Sequence, residues 1–197
     1  GSGSHLSSSI NLLMKYFDVV NMSIYDNSYE EGEEEIIHSI LLTGKIEKIE
    51  LNQDLFLSIG DNSLRKKYFL KFKDQVIKKN LFHSNSLQEK EVKFGYANQI
   101  FANTYINSKT IIGDNNIINT SAIIEHDCRI GDHNHISVGS KICGNVSIGD
   151  SCFIGAGSII LNNLSICDNV VIGAGTVVIQ DINNSGTYVG SPAKKIK

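Results

Sequence analysis

The sequence predicts a small Rossmann-like α/β domain followed by a parallel β-helix, and a strict six-residue period is the main reason. From residue 100 to residue 178 a branched aliphatic side chain occupies every sixth position: Ile100, Ile106, Ile112, Ile118, Ile124, Ile130, Ile136, Ile142, Ile148, Ile154, Ile160, Ile166, Ile172 and Val178. A period of six fits neither a helix nor a simple alternating strand. It is typical of a solenoid in which three short strands close one triangular coil of about eighteen residues.

Two further patterns support the coil. The position four residues after the repeat isoleucine often holds a small or modest side chain, as expected at a tight corner: Thr104, Thr110, Ala122, Cys128, Ser140, Val146, Cys152, Ser158 and Thr176. The residue directly after the isoleucine is often glycine: Gly113, Gly131, Gly149, Gly155 and Gly173. We therefore expect these glycines to lie in turns that need a permissive backbone.

Length and charge bound the remaining possibilities. A chain of 197 residues can hold one solenoid and one small domain, and we place their boundary between residues 1–83 and 84–197. The net charge of -3 argues against a nucleic-acid-binding protein, which would normally carry a basic face. The acidic run at residues 30–35 and the basic run at residues 194–197 are expected to be a solvated loop and a solvated tail.

Membrane and redox signals are also informative. The sequence has no apolar run close to the ~18 residues needed to cross a bilayer, and no signal peptide is recognisable. The four cysteines lack the close spacing of a zinc or redox motif: Cys128, Cys143, Cys152 and Cys167. We therefore expect the cysteines to be reduced and to serve in packing. We also expect the protein to be cytoplasmic and to bind no membrane.

The N-terminal part alternates between helix and strand patterns. Residues 7–16 predict a helix, residues 18–25 and 54–59 predict strands, and residues 63–73 predict a basic helix. This alternation suggests a small parallel sheet, whose ligands usually bind at the carboxyl ends of the strands. Gly60 and Asn62 would lie at such an end.

The opening residues allow two interpretations. Gly1-Ser2-Gly3-Ser4-His5 directly precedes the first helix, so its backbone N–H groups and the helix N-terminus are suited to hold a phosphate. The same residues also resemble what remains after cloning. A cloning remnant is usually followed by the native methionine, whereas Leu6 follows here.

One stretch of the solenoid departs from ordinary turn residues. His126 and Asp127 are adjacent, and His133 and His135 follow within one coil. A histidine on a coil surface is often merely solvated, but its ordinary pKa of about 6.5 also suits a general base. A carboxylate on the second ring nitrogen fixes the tautomer and raises basicity. Because neighbouring residues of a strand point to opposite faces, contact between His126 and Asp127 requires a local bend or a partner subunit.

Residues 119–149, which include the His126-Asp127-Cys128 stretch, resemble the core of the bacterial sugar O-acyltransferase and sialic acid O-acetyltransferase family. The resemblance is strongest to the UDP-4-amino-sugar N-acetyltransferase of the UDP-N-acetylbacillosamine pathway. Residues 58–67 resemble the second strand and turn of its nucleotide domain, and residues 188–195 resemble its closing loop. The resemblance implies a left-handed β-helix, a homotrimer, and acetyl-CoA bound in the groove between adjacent solenoids, without a metal.

The resemblance also implies roles for individual residues of the solenoid. His126 would deprotonate the attacking amine, and Asp127 would raise its basicity, although the family frequently has a longer glutamate there. Asn119 would lie near the acceptor and His135 near the thioester. The amide of Gly144 would stabilise the oxyanion. The remaining positions concern CoA, with two alanines along the pantetheine and two lysines near its phosphates: Ala156, Ala174, Lys194 and Lys195.

For the sugar nucleotide, the resemblance implies three groups of residues in the N-terminal domain. Gly3, Ser4 and His5 would hold the pyrophosphate, Asp26 and Asn27 the uracil or ribose, and Gly60 would allow close approach: all six belong to residues 1–83. The family's glycine-rich turn follows a strand and has its second glycine one place later than Gly3. The sequence departs from the family on both counts.

The expected reaction is direct acetyl transfer from acetyl-CoA to the amine of a nucleotide-linked 4-amino-4,6-dideoxy sugar in bacterial surface glycan synthesis. Cys143 is the nearest candidate for a covalent nucleophile, but no base adjoins it in the sequence. Three alternatives remain open. They are O-acetylation of sialic acid, a metal hydratase using His126, His133 and His135, and a scaffold without catalysis.

Overall fold

The computed structural model describes residues 3–31, 36–49 and 53–197. The chain divides into two compact units, Gly1–Ile77 and Lys78–Lys197. The division lies a few residues before the boundary expected from the sequence, since the strand Leu81–Phe82 already belongs to the solenoid. Within the predicted acidic loop, residues 32–35 lie outside the described residues, as do Gly1 and Ser2 of the predicted phosphate-binding turn. Among the described residues, no helix is long and apolar enough to cross a membrane.

The described residues of the first unit form two helices and a three-stranded sheet. Its elements are α1 (Ser4–Met14), β1 (Ile24–Tyr25), β2 (Ile36–Ile37), β3 (Ile40–Gly44) and α2 (Asn62–Lys71), with short 3₁₀ turns at Val19–Asn21 and Ile46–Lys48. The strand order is β1-β3-β2. β1 pairs with β3 in parallel, whereas β2 pairs with β3 antiparallel. Leu6 and Ile10 of α1 pack with Ile24, Ile40 and Leu42 of the sheet.

The sheet differs from the parallel α/β sheet expected from the sequence. Only Ile24–Tyr25 of the predicted strand 18–25 is extended, because Asp18 accepts a hydrogen bond from the Val20 amide at 3.1 Å and starts a helical turn. Residues 54–59 make one isolated bridge, between Leu55 and Val76, and no longer strand. The two helices lie within a few residues of their predicted bounds.

The second unit is a parallel β-solenoid. Its strands are β4 (Leu81–Phe82), β5 (Leu87–Gln88), β6 (Lys93–Phe94), β7 (Gln99–Ile100), β8 (Tyr105–Ile106), β9 (Ile111–Ile112), β10 (Ile117–Ile118), β11 (Ile123–Ile124), β12 (Arg129–Ile130), β13 (His135–Ile136), β14 (Lys141–Ile142), β15 (Ser147–Ile148), β16 (Phe153–Ile154), β17 (Ile159–Ile160), β18 (Ser165–Ile166), β19 (Val170–Ile172), β20 (Val177–Val178), β21 (Gly186–Val189) and β22 (Lys194–Lys195).

The strands form three sheets, one for each side of the coil. The orders are β22-β21-β19-β16-β13-β10-β7-β4, β20-β17-β14-β11-β8-β5 and β18-β15-β12-β9-β6. From β4 to β20, each strand pairs in parallel with the strand one coil away, as Ile118 does with Ile136 and Ile136 with Ile154, whereas β22 pairs antiparallel with β21. The repeat isoleucines are at most 3 % exposed and form one continuous core. The six-residue period and the small side chains at the corners are therefore confirmed.

The solenoid begins one coil earlier than the aliphatic period indicates. The repeat position in β4, β5 and β6 holds Phe82, Gln88 and Phe94. These residues pair with the next coil as Phe82–Ile100, Gln88–Ile106 and Phe94–Ile112. The rings of Phe82 and Phe94 meet edge to face with centroids 5.2 Å apart. Aromatic and amide side chains thus occupy the repeat positions of the first coil, where they interrupt the aliphatic pattern.

The glycines after the repeat isoleucines have a different role from the expected one. The left-handed conformation occurs three residues after the isoleucine, for example at Asp127 with φ 60° and His133 with φ 61°. Gly113 and Gly131 do not adopt it. A Cβ at Gly113 would lie 2.9 Å from the carbonyl oxygen of Gly131 in the next coil. These glycines are needed because successive coils approach closely there.

Two columns of polar side chains tie the coils together. Asp132 accepts a hydrogen bond from the Asp114 amide at 2.7 Å, and Asp150 accepts one from the Asp132 amide at 2.8 Å, each across eighteen residues. In the same way, Asn116 accepts a hydrogen bond from the amide of fully buried Asn134 at 2.7 Å. The polar residues that the sequence assigns to turns therefore also satisfy backbone donors of neighbouring coils.

The cysteines are all free thiols, and two of them are sealed in the core. Burial raises the pKa of Cys128 and of Cys152 to about 11. Because the thiolate is the reactive form, we expect iodoacetamide at pH 8 to alkylate Cys143 and Cys167 well before Cys128 and Cys152. Mass spectrometry of tryptic peptides over time measures this order. Equal labelling rates for the four thiols would contradict the packing assigned to Cys128 and Cys152.

Candidate active site

His126 and Asp127 lie together at the corner that follows β11. The Nδ1 of His126 is 2.8 Å from Oδ2 of Asp127, and their side chains are 55 % and 51 % exposed. Asp127 has φ 60°, and this left-handed residue turns the chain so that two sequence neighbours can meet. The contact therefore arises from a local bend within one chain and needs no partner subunit.

The hydrogen bond between the two side chains determines the tautomer of the His126 ring. An ionised carboxylate can only accept hydrogen bonds, so Nδ1 of His126 is the donor. A neutral imidazole in this tautomer carries its lone pair on Nε2. Both side chains are about half exposed, so a proton donor in solution can reach the His126 ring. The pair has the arrangement of a general base and the carboxylate that orients it.

Gly144 lies directly against His126, one coil further along the solenoid. The Asn145 amide donates a hydrogen bond of 2.8 Å to the carbonyl oxygen of His126. On the same corner, Nδ2 of Asn145 donates to Oδ1 of Asn163 at 2.9 Å. The backbone around the His126 ring is thus held by contacts between successive coils.

Asn119 and His135 form a second pair, on a different sheet. Asn119 directly follows β10 and His135 begins β13, both of the eight-stranded sheet, whereas His126 follows a strand of the six-stranded sheet. Nδ2 of Asn119 lies 3.2 Å from Nε2 of His135. The His135 ring is 8 % exposed and meets the edge of Phe153 with ring centroids 5.1 Å apart. Packing therefore holds the second pair more tightly than the first.

The positions predicted for CoA lie on the surface of the solenoid. Ala156 and Ala174 are exposed and stacked, and the amide that follows Ala174 donates 2.8 Å to the Ala156 carbonyl. Val138 continues this column and is 48 % exposed. Lys194 and Lys195 are exposed, but they form β22 against β21, so the predicted loose tail is partly an antiparallel strand.

The third histidine of the cluster is buried. His133 is 6 % exposed, and its Nδ1 lies 2.8 Å from Nδ2 of Asn115. Within residues 3–31, 36–49 and 53–197, no three His, Cys, Asp or Glu side chains converge as metal ligands do. The three histidines of the hydratase alternative thus occupy separate environments, since His126 is on a corner and His135 is packed on Phe153.

In the first unit, His5 and Gly60 are neighbours. α1 begins at Ser4, and Gly3 precedes it in an extended conformation without a side-chain cap. A Cβ at Gly60 would lie 3.6 Å from Cβ of His5, which is ordinary contact. The first turn of α1 and the loop before α2 therefore meet where the sequence places the pyrophosphate.

The other predicted nucleotide residues take part in structural bonds. Asp26 follows β1, and its Oδ1 accepts from the amide and the hydroxyl of Ser28 at 2.9 and 2.8 Å. Nδ2 of Asn27 donates to the Tyr68 hydroxyl at 3.2 Å. A cavity of about 550 Å³ in this unit lies between α1, β1 and residues 53–59 and is lined mostly by apolar side chains. None of the six predicted nucleotide residues lines it.

Arg65 is a buried charge that the sequence does not reveal. Its basic neighbours suggest a solvated helix face, but Arg65 is fully buried, and desolvation lowers the pKa of its guanidinium to about 10. Nη1 donates to the carbonyl oxygens of Ile59 and Gly60, both at 3.2 Å, and Nη2 donates to Oδ1 of Asn62 at 2.8 Å. Arg65 thus fixes the loop that packs on His5.

A second residue whose role the sequence does not reveal lies beside the histidine corner, the turn formed by His126 and Asp127. Glu125 precedes His126, and its Oε2 accepts a hydrogen bond of 2.6 Å from Nδ2 of Asn107 in the preceding coil. The carbonyl oxygen of Glu125 also accepts 2.9 Å from the Thr110 hydroxyl. Only the spacing of one coil between Asn107 and Glu125 signals this bond in the sequence.

Comparison with known proteins supplies the context for this site. Residues 145–180 match the bacterial transferase hexapeptide family, described as six repeats. The acetyltransferase domain of PglB from Neisseria gonorrhoeae superposes with a TM-score of 0.90 at 22% identity, covering 100% of this chain and 97% of that domain. PerB from Caulobacter crescentus, in complex with CoA and GDP-perosamine, gives a TM-score of 0.88 at 29% identity, covering 100% of this chain and 95% of PerB.

A further comparison is with a GDP-perosamine N-acetyltransferase from Caulobacter crescentus in which one histidine is replaced by alanine. That variant also holds CoA and GDP-perosamine, with a TM-score of 0.87 at 28% identity over 100% of this chain and 94% of that one. The similarity thus extends over both units and not over the repeats alone. The chain shares its fold, along its whole length, with the acetyltransferase domain of PglB and with the GDP-perosamine N-acetyltransferase, and its residues 145–180 match the hexapeptide repeats.

Proposed function

We propose that this protein transfers the acetyl group of acetyl-CoA to the amino group of a nucleotide-linked 4-amino-4,6-dideoxy sugar. The chain is an acetyltransferase of the hexapeptide class with acetyl-CoA as its co-substrate, since related structures of the same fold hold CoA. The observation that carries the proposal is the His126–Asp127 pair, joined at 2.8 Å and open to solvent.

The proposed reaction is a direct transfer. The sugar amine attacks the thioester carbonyl while Nε2 of His126 accepts the proton that the amine loses. Asp127, bound to Nδ1, stabilises the imidazolium that results. The tetrahedral intermediate then collapses, the C–S bond breaks, and the CoA thiolate leaves and takes up a proton. The amide N–H of Gly144 is the proposed donor to the oxyanion.

A left-handed coil and assembly into a homotrimer are part of the proposal. The His126 pair and the Asn119–His135 pair lie on different sheets of one chain. In a three-fold assembly, one sheet of a protomer faces a different sheet of its neighbour, so the two pairs would line one groove from opposite sides. The exposed column at Val138, Ala156 and Ala174 is the surface along which the pantetheine would extend. Light scattering in solution measures the mass of the assembly.

The sugar nucleotide is assigned to the first unit. The support is the contact of Gly60 with His5 at the start of α1, where backbone N–H groups favour an anion. Asp26 and Asn27 follow β1, at the carboxyl end of a strand, where parallel sheets bind their ligands. Products of this reaction would serve bacterial surface glycan synthesis.

The experiment is a thiol-release assay with acetyl-CoA and a panel of acceptors. The panel contains UDP-, dTDP- and GDP-linked 4-amino-4,6-dideoxyhexoses and free sialic acid. Release of CoA with an amino-sugar nucleotide, together with a mass gain of one acetyl group, is the expected result. Release with sialic acid alone would replace the proposal by O-acetylation, for which the same base could activate a hydroxyl. No release with any acceptor would contradict acetyl transfer to both classes.

Asp127→Asn tests the orienting carboxylate. Asparagine tolerates the left-handed conformation, so the corner is expected to keep its shape. An amide can donate to Nδ1 and thereby favour the wrong tautomer of His126, so we expect turnover to fall about 10- to 100-fold. Steady-state kinetics measure the effect, and Lys109→Asn, at the exposed left-handed position one coil before Asp127, is the control. Unchanged turnover in Asp127→Asn would remove Asp127 from the mechanism.

A further inference from the structure

The His126 ring rests on a position that has no side chain. A Cβ built on Gly144 would lie 2.7 Å from Cε1, 2.8 Å from Nε2 and 3.3 Å from Nδ1 of His126. Real Cβ atoms essentially never approach other heavy atoms to less than 3.0 Å. A side chain at residue 144 would therefore collide with the His126 ring in its present position. The position of the ring depends on the absence of that side chain.

Gly144 differs from the other glycines of the solenoid in what surrounds it. At Gly113 and Gly131 the nearest atoms to an added Cβ include the backbone of the next coil. At Gly144 all three nearest atoms belong to the imidazole of His126. The backbone of Gly144 is also outside the left-handed region, so neither turn geometry nor coil packing requires glycine there. The contact with His126 is the feature that distinguishes this glycine.

We propose that Gly144 is a positioning residue, whose missing side chain forms the seat that holds the His126 imidazole. Asp127 holds the ring at Nδ1, and Gly144 leaves room for the adjoining Cε1–Nε2 edge. Together they define where Nε2 stands. The catalytic consequence rests on the proposed role of His126 as general base, whereas the steric contact itself does not.

A methyl group at this position has a clear physical effect. The His126 side chain is 55 % exposed, so the ring can rotate toward solvent while the coil stays closed. Gly144→Ala is therefore expected to fold, with the ring displaced and its bond to Asp127 weakened. A displacement of about 1 Å at a reacting group lowers turnover by up to about 10²-fold.

The experiment combines kinetics with NMR of the imidazole nitrogens. In Gly144→Ala, kcat is expected to fall about 10- to 100-fold while the KM for acetyl-CoA is kept. The ¹⁵N shifts of His126 should lose the signature of a single tautomer with the hydrogen on Nδ1. Asn162→Ala, at the exposed position one coil further in the same column, is the matched control and should leave both readouts unchanged.

A thermal-stability cycle separates the contact from the chemistry. Any loss of stability on adding alanine at residue 144 should disappear in the His126→Ala background, where no ring is left to collide. Wild-type ¹⁵N shifts for His126 in Gly144→Ala would overturn the proposed seat. A displaced imidazole with unchanged turnover would instead overturn the catalytic role of His126 and leave the seat in place.

Discussion

Replacement of His126 by alanine is expected to lower turnover by about 10²–10⁴-fold, because removal of a general base typically costs that much. The lost group is the Nε2 proton acceptor, while Asp127, which lies 2.8 Å from Nδ1, stays in place. The interior of the coil is untouched, since the His126 side chain is 55 % exposed. Steady-state kinetics with saturating acetyl-CoA and the acceptor found in the panel measure the loss.

The controls for His126→Ala address binding and folding. CoA affinity by calorimetry and the thermal midpoint are expected to match the unsubstituted protein. His83→Ala, a half-buried histidine of the first coil, should retain full turnover. Near-normal turnover in His126→Ala would end the assignment of His126 as base.

The solenoid is the part of the fold that the sequence predicts best, for a physical reason. Each repeat isoleucine fills the same environment, with an isoleucine one coil above and below, as Ile136 does between Ile118 and Ile154. A periodic environment imposes a periodic sequence. The first coil escapes the prediction because no coil precedes it, and there Phe82 and Phe94 pack edge to face.

The N-terminal unit is less predictable because its core has no repeat. Its strands are two to five residues long, too short for an alternation pattern to separate them from turns. Arg65 illustrates the limit. Its role follows from carbonyl oxygens of Ile59 and Gly60 that a loop conformation brings within 3.2 Å, and no residue pattern encodes that loop.

At the histidine corner, too, the sequence predicts one part of the site and the fold determines the other. The residue types predict a base and a carboxylate, but the alternation of a strand forbids their contact. The contact exists because Asp127 occupies the left-handed position that recurs three residues after each isoleucine. Asparagine, glycine or serine fills this position in other coils, at Asn145, Gly139 and Ser121. The conformation comes from the fold, and the chemistry comes from the residue that the corner carries.

Ile112→Ala is expected to destabilise the solenoid by about 2–5 kcal/mol, the usual cost of truncating a buried isoleucine. Ile112 is 1 % exposed and pairs with Phe94 on one side and Ile130 on the other. A cavity at this position therefore weakens both interfaces that the coil makes with its neighbours. Because solenoid stability is roughly a sum of such nearest-neighbour terms, loss at one coil lowers the stability of the whole column.

The preceding residue of the same strand provides the matched comparison. Ile111 is 36 % exposed and pairs with Arg129 and Lys93. Ile111→Ala removes the same atoms from the outer face, where no closed cavity can form, and is expected to cost about 1 kcal/mol or less. Urea denaturation followed by circular dichroism measures both variants. Equal losses would mean that the outer face of β9 is also covered, as a subunit contact would cover it, whereas a larger loss for Ile111→Ala would contradict the assignment of Ile112 to the interior.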